Sequence, residues 1–99
     1  MRSLKHPRAE DLILSDVLRA LGDPVRLEIV RMAEGCDGLP CNAFLEAIPK
    51  STASHHWRVL REAGVIRQVP EGTSRRNFLR REDLEARFPG LLDAVLGSG

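Results

Sequence analysis

This chain of 99 residues contains little that would suit a membrane, a secretory route or a disulfide scaffold. No apolar run approaches the roughly 18 residues of a membrane span. Met1 to Glu10 carries charge but no apolar core of signal-peptide type. Cysteines number two, Cys36 and Cys41, and they do not form a CxxC. Two cysteines make no disulfide framework, and in a reducing cytoplasm they are expected as free thiols. There is no nucleophile elbow and no glycine-rich phosphate loop, and His55 and His56 stand side by side on one helical stretch. No internal repeat or low-complexity segment breaks the chain. These absences predict a single cytoplasmic domain over residues 1–99 that is not an enzyme, needs no cofactor and has no membrane partner.

What is present is uneven in charge. The formal net charge is only +1, yet residues 50–81 hold eight Lys or Arg against Glu62 and Glu71. The segments before and after are net acidic, at −2 and −3. A basic block between acidic flanks suits a polyanion, and it equally suits a solvated charged face.

Apolar spacing supplies the elements. Leu14, Val17, Leu18 and Leu21 predict an amphipathic helix over about 9–21, ended by Gly22. Asp23 and Pro24 read as a cap and first residue of a second helix, which runs to Glu34 and is apolar on two sides. Cys41, Phe44, Leu45 and Ile48 predict a short third helix, broken at Pro49 and Lys50. Ser51 is expected to cap a fourth helix that ends at Gly64. Beyond it, Val65–Val69 and Ser74–Arg80 flank the turn chemistry of Pro70–Thr73 and predict a hairpin. Residues 82–96 read as a last helix interrupted at Pro89.

The predicted fold class is therefore mainly α with a small β-hairpin, in the order α-α-α-α-β-β-α. A short helix, a tight turn and a capped second helix are helix-turn-helix grammar, here over 39–63, and the hairpin at 65–80 makes it winged. The alternative for such a fold is a protein-interaction module without DNA binding, against which the basic middle segment argues. At about 100° per residue, Ala53, Trp57 and Leu60 face the core. Ser51, Ser54, His55 and Arg58 face outward, while His56 lies on the flank of the core face, open to burial or to DNA contact. The candidate double-stranded DNA surface comprises Lys50, Ser51, Thr52, Ser54, His55, His56 and Arg58, with Thr73, Ser74, Arg75 and Arg76 from the hairpin. Leu14, Val17, Leu18 and Leu21, with Leu84, Phe88, Leu91, Leu92 and Val95, exceed what so small a core needs. They are candidates for a homodimer interface, whose two-fold symmetry would match a palindromic operator. The alternative is that they pack within the monomer.

Two motifs carry a family resemblance. Ala20–Leu27, ALGDPVRL, resembles the opening ALGDPxRL of the ArsR-type winged-helix repressors. Ser51–Ile66, STASHHWRVLREAGVI, resembles their recognition-helix string SHHLxxLREAGLI, and Glu71-Gly72-Thr73 sits where they carry a wing turn. The resemblance covers about residues 12–96 and implies a homodimeric repressor that leaves its operator when a metal binds or thiols oxidise. The metal ligands depart from the pattern. The region equivalent to the family's CxC reads Leu39-Pro40-Cys41-Asn42-Ala43-Phe44, and residues 82–96 hold no histidine. No metal site is therefore assigned. Cys36 and Cys41 stay as candidate effector thiols beside the reading of inert cysteines, and Trp57 stands where the family has Leu or Phe.

Overall fold

In the computed structural model, which describes residues 5–41 and 48–97, the first helix is shorter than its apolar spacing predicts. A single 3-10 turn, Ala9–Asp11, is followed by extended backbone at Leu12 and Ile13, and helix α1 then spans Leu14–Leu21. The break lets Leu12 drop into the core, where it is 1% exposed. It packs over Gly64, whose φ of +86° and close approach to the Leu12 side chain both exclude a Cβ. The apolar residues of α1 also divide. Val17, Ala20 and Leu21 point inward, while Leu14 and Leu18 stay 45% and 46% exposed.

Helix α2 spans Pro24–Glu34 and starts as its residues dictate. The Asp23 carboxylate accepts from the amides of Val25 at 2.9 Å and Arg26 at 3.1 Å, and Pro24 occupies a position where no N–H is needed. Ile29, Val30 and Ala33 are its buried face. The predicted third helix falls largely on Asn42–Ala47, outside the described residues. Helix α3 spans Lys50–Ala63, two residues earlier than a cap at Ser51 implies. Pro49 takes the cap position with no side-chain bond, so Ser51 lies inside the helix rather than capping it. Gly64 ends α3 in the left-handed conformation.

The sheet has three strands where the sequence predicts two. Strands β1 (Leu39–Pro40), β2 (Ile66–Glu71) and β3 (Ser74–Leu79) are antiparallel in the order β1-β3-β2. Glu71 pairs with Ser74, which leaves Gly72 and Thr73 as a two-residue loop. A positive φ at Gly72 (+62°) and not at Thr73 is the pattern of a type II′ hairpin. The amino-terminal arm lies against this hairpin. His6 Nε2 accepts from the Gln68 amide at 3.0 Å, and the Arg80 guanidinium donates to the Pro7 carbonyl at 2.7 Å.

Helices α4 (Arg81–Arg87) and α5 (Leu91–Leu96) complete the chain, interrupted at Phe88–Gly90 as Pro89 predicts. Arg87 donates to the Leu12 carbonyl at 2.7 Å, and Arg81 pairs with Glu34. Leu84 and Leu92 are wholly buried in the common core with Val17, Val30, Leu60 and Ile66. Val17, Leu21, Leu84 and Leu92 therefore stabilise the monomer itself, as the alternative for the apolar surplus has it. No helix among the described residues is long and apolar enough to cross a membrane.

Candidate nucleic-acid interface

Helix α3 sorts its residues by helical phase. Ala53, His56, Trp57, Leu60 and Ala63 are buried. Lys50, Ser51, Thr52, Ser54, His55 and Arg58 are exposed. The Trp57 indole lies in the core, and its Nε1 donates to the Cys41 carbonyl at 3.1 Å. On the outer face, Arg58 donates to His55 Nδ1 at 3.4 Å.

The undecided histidine is a buried one. His56 is 7% exposed, and its Nδ1 lies 3.1 Å from an Nη1 of Arg26 on α2. A guanidinium only donates, so Nδ1 is an acceptor and the ring is neutral with its proton on Nε2. Burial lowers the His56 pKa, Asp23 opposes that shift, and the charges of Arg26 and His55 add to it. The same Arg26 side chain donates to the carbonyls of Ala20 at 2.7 Å and Arg19 at 3.2 Å. One guanidinium thus ties the end of α1 to the middle of α3. His56 is thereby part of the packing between α2 and α3 and not of the exposed face of α3.

A cleft of about 390 Å³ lies between α3 and the hairpin. Lys50, Ser54 and Arg58 line it from the helix, and Thr73, Ser74 and Arg75 line it from the wing. Six residues proposed from sequence are thereby brought to one basic concavity. Ser51, Thr52 and His55 are exposed on the same helix outside this lining.

Arg76 is placed differently from its neighbour. Its Nε donates to Glu71 at 2.8 Å and its Nη1 to the Gly38 carbonyl at 2.9 Å. Hydrogen bonding and charge from Glu71 raise its pKa further above the usual arginine range. Arg75 is exposed, with no ion-pair partner among the described residues. Successive strand residues point to opposite faces, which separates the two. The sequence reading missed Arg61, which lines the cleft behind Arg58. The spacing 50, 54, 58, 61 is a helical stripe, so the signal was present.

Both cysteines are free thiols, Cys36 exposed and Cys41 partly buried. Cys41 packs against the core, and its sulfur also accepts from the side-chain amides of Asn77 at 3.2 Å and Gln68 at 3.6 Å. Among the described residues, no group of three or more His, Cys, Asp or Glu is placed to hold a metal ion.

An exposed polar helix face beside a basic wing defines a winged helix-turn-helix DNA-binding domain. Comparison with known proteins agrees. A family model described as a helix-turn-helix domain matches residues 21–69. An uncharacterized HTH-type transcriptional regulator of Bacillus subtilis, YceK, is 30% identical over 96 residues, spanning 89% of this chain and 91% of that protein. A second HTH-type regulator, MJ1325 of Methanocaldococcus jannaschii, is 36% identical over 61 residues, 60% of this chain and 68% of the relative. In structure, an ArsR-like transcriptional regulator from Rhodococcus sp. RHA1 superimposes with a TM-score of 0.61 at 20% identity, covering 86% of this chain and 87% of that one. The chain belongs to the HTH-type transcriptional regulators, with the ArsR-like winged fold. It is a DNA-binding regulator of transcription and not an enzyme.

Proposed function

We propose that this regulator is a homodimeric repressor that acts in the cytoplasm by occupying palindromic operator DNA. Helix α3 enters the major groove, and the wing follows the phosphate backbone or the minor groove. The observation that carries this reading is the convergence of the exposed face of α3 and the wing tip on one basic cleft. Ser51, Ser54, His55 and Arg58 are the residues that choose sequence, because they lie on the groove-facing side of the helix. Lys50, Thr52, Thr73, Ser74 and Arg75 hold the backbone. Arg76 braces the wing through Glu71. The apolar surface available to a second copy comprises Leu14 and Leu18, one turn apart on α1, with the adjacent Ile13 and the half-buried Phe88, Leu91 and Val95. A two-fold pair would present two recognition helices to two half-sites.

The test is a fluorescence titration of duplex DNA at several salt concentrations. Each phosphate contact adds about −0.9 to the slope of log affinity against log salt. Arg75→Ala in a dimer removes two such contacts, so the slope flattens by about 1.8 on cognate and random DNA alike. Arg76→Ala acts through wing geometry and removes no direct contact. Ser54→Ala and His55→Ala change which sequence is preferred. Equal losses from all four substitutions on cognate and random DNA would refute this assignment, and a monomer mass in sedimentation at micromolar concentration would refute the dimer.

A further inference from the structure

A polar chain, buried at Gln68 and Asn77 and part-buried at Arg61, joins the wing to the recognition helix. Arg61 on α3 donates from Nη1 to Gln68 Oε1 on β2 at 2.8 Å. Gln68 Nε2 donates to Asn77 Oδ1 on β3 at 2.7 Å. Asn77 Nδ2 donates to the Leu39 carbonyl on β1 at 2.9 Å. Gln68 is 3% exposed and Asn77 is wholly buried. The remaining amide hydrogens of both residues have the Cys41 sulfur as acceptor, and Trp57 of α3 donates to the Cys41 carbonyl. One network thus touches α3 and all three strands.

This chain of bonds has a single direction. A guanidinium only donates and a backbone carbonyl only accepts. Gln68 must turn its oxygen to Arg61 and its nitrogen to Asn77, and Asn77 must repeat that order toward Leu39. Gln68 and Asn77 are also direct partners in register. The Gln68 amide is bonded to His6 outside the sheet, so the pair is of the non-hydrogen-bonded kind, in which opposed side chains stand closest. Rotating the hairpin against α3 strands a buried donor or acceptor at one link or another, which such a network resists.

Leverage makes this matter at the wing tip. From Gln68 to Gly72 a strand extends about 13 Å, so a 10° rotation at the base moves the tip by about 2 Å. A hydrogen bond to phosphate tolerates only a few tenths of an ångström.

We propose that Arg61, Gln68 and Asn77 are positioning residues for DNA engagement. They set the angle of the wing to the recognition helix, so that Arg75 meets the duplex while α3 is seated in the groove. This rests on the reading of α3 and the wing as the DNA surface.

The test is a double-mutant cycle on the full chain, combining Gln68→Met with Arg75→Ala. Binding to a random-sequence duplex is followed by fluorescence anisotropy from low to moderate salt. In the wild-type background Arg75→Ala weakens binding several-fold and flattens the salt slope. In the Gln68→Met background the same change costs less than twofold. Gln68→Met alone flattens the slope as Arg75→Ala does, although it is buried and changes no charge, a result that simple loss of stability does not produce. Arg61→Met, which keeps the packed stem and removes the donor, gives the same coupling if circular dichroism shows Gln68→Met unfolded. Losses that multiply independently in a folded variant overturn the positioning role and leave the DNA surface standing. A wild-type chain that binds no duplex at low salt, or an Arg75→Ala variant that binds as wild type, overturns both.

Discussion

Replacing His56 tests the support beneath the recognition helix. His56→Phe keeps a planar ring, somewhat larger than imidazole, and removes the acceptor that Arg26 meets at 3.1 Å. A hydrogen bond to a charged group contributes about 1.5–3 kcal/mol. Arg26 retains the carbonyls of Ala20 and Arg19, so the expected loss lies near the lower end, about 1–2 kcal/mol. For a domain of this size that is a fall of about 5–12 °C in melting temperature. The pH dependence carries more information than the size. Burial, followed by the charges of Arg26 and His55, holds the folded-state pKa below the ordinary 6.5 against the pull of Asp23. As pH falls, the unfolded chain takes this proton first. The contribution of His56 is therefore complete above about pH 6.5 and declines below it, by at most about 1.4 kcal/mol per pH unit. His56→Asn, which can keep an acceptor near the position of Nδ1, should recover part of the stability without this pH dependence. The assay is urea denaturation of the three proteins from pH 7.5 to 5. An advantage of wild type over His56→Phe that grows toward acid would mean a charged His56 in the folded state, and would refute the neutral clasp.

Two further substitutions address the frame. Gly64→Ala places a Cβ in a left-handed residue, which costs about 1–2 kcal/mol, and also displaces Leu12. A loss of more than that in urea denaturation is expected, and a neutral result would refute the packing of Leu12 over Gly64. Asp23→Ala removes two amide bonds at the start of α2 and should cost about 1 kcal/mol. The Arg26 amide lowers the Asp23 pKa, burial opposes it, and the Val25 amide and the charge of Arg26 lower it further. The difference from wild type should therefore be full above about pH 4 and vanish as pH falls through the lowered value.

The sequence was most legible where one period ruled a whole element. Few residues of α3 are apolar, so Ala53, Trp57 and Leu60 fixed its phase and with it the exposed positions. α1 was harder, because its apolar residues are too many for one face. Val17 and Leu21 went to the core and Leu14 and Leu18 to the surface, and only the position of Leu12 over Gly64 explains where the helix breaks. β1 is two residues long and includes a proline, so it shows no alternation to read. His56 stayed ambiguous because its role depends on Arg26, thirty positions earlier. The polar chain of Arg61, Gln68 and Asn77 was invisible for the same reason. Polar residues on short strands look like surface until their partners are known. The different placements of Arg75 and Arg76, by contrast, follow from strand alternation alone.

The amino-terminal arm gives the sheet one more property. β2 is an edge strand, and its outward amides belong to residues 66, 68 and 70. Residue 70 is proline and has none to offer, and the amide of 68 is already taken by His6. At the opposite edge, β1 is only two residues long and ends in Pro40. Among the described residues, both borders are poor templates for a strand from another molecule. A DNA-binding regulator, which must stay dispersed while it searches a long polymer, thereby carries sheet borders that are poor templates for β-type self-aggregation.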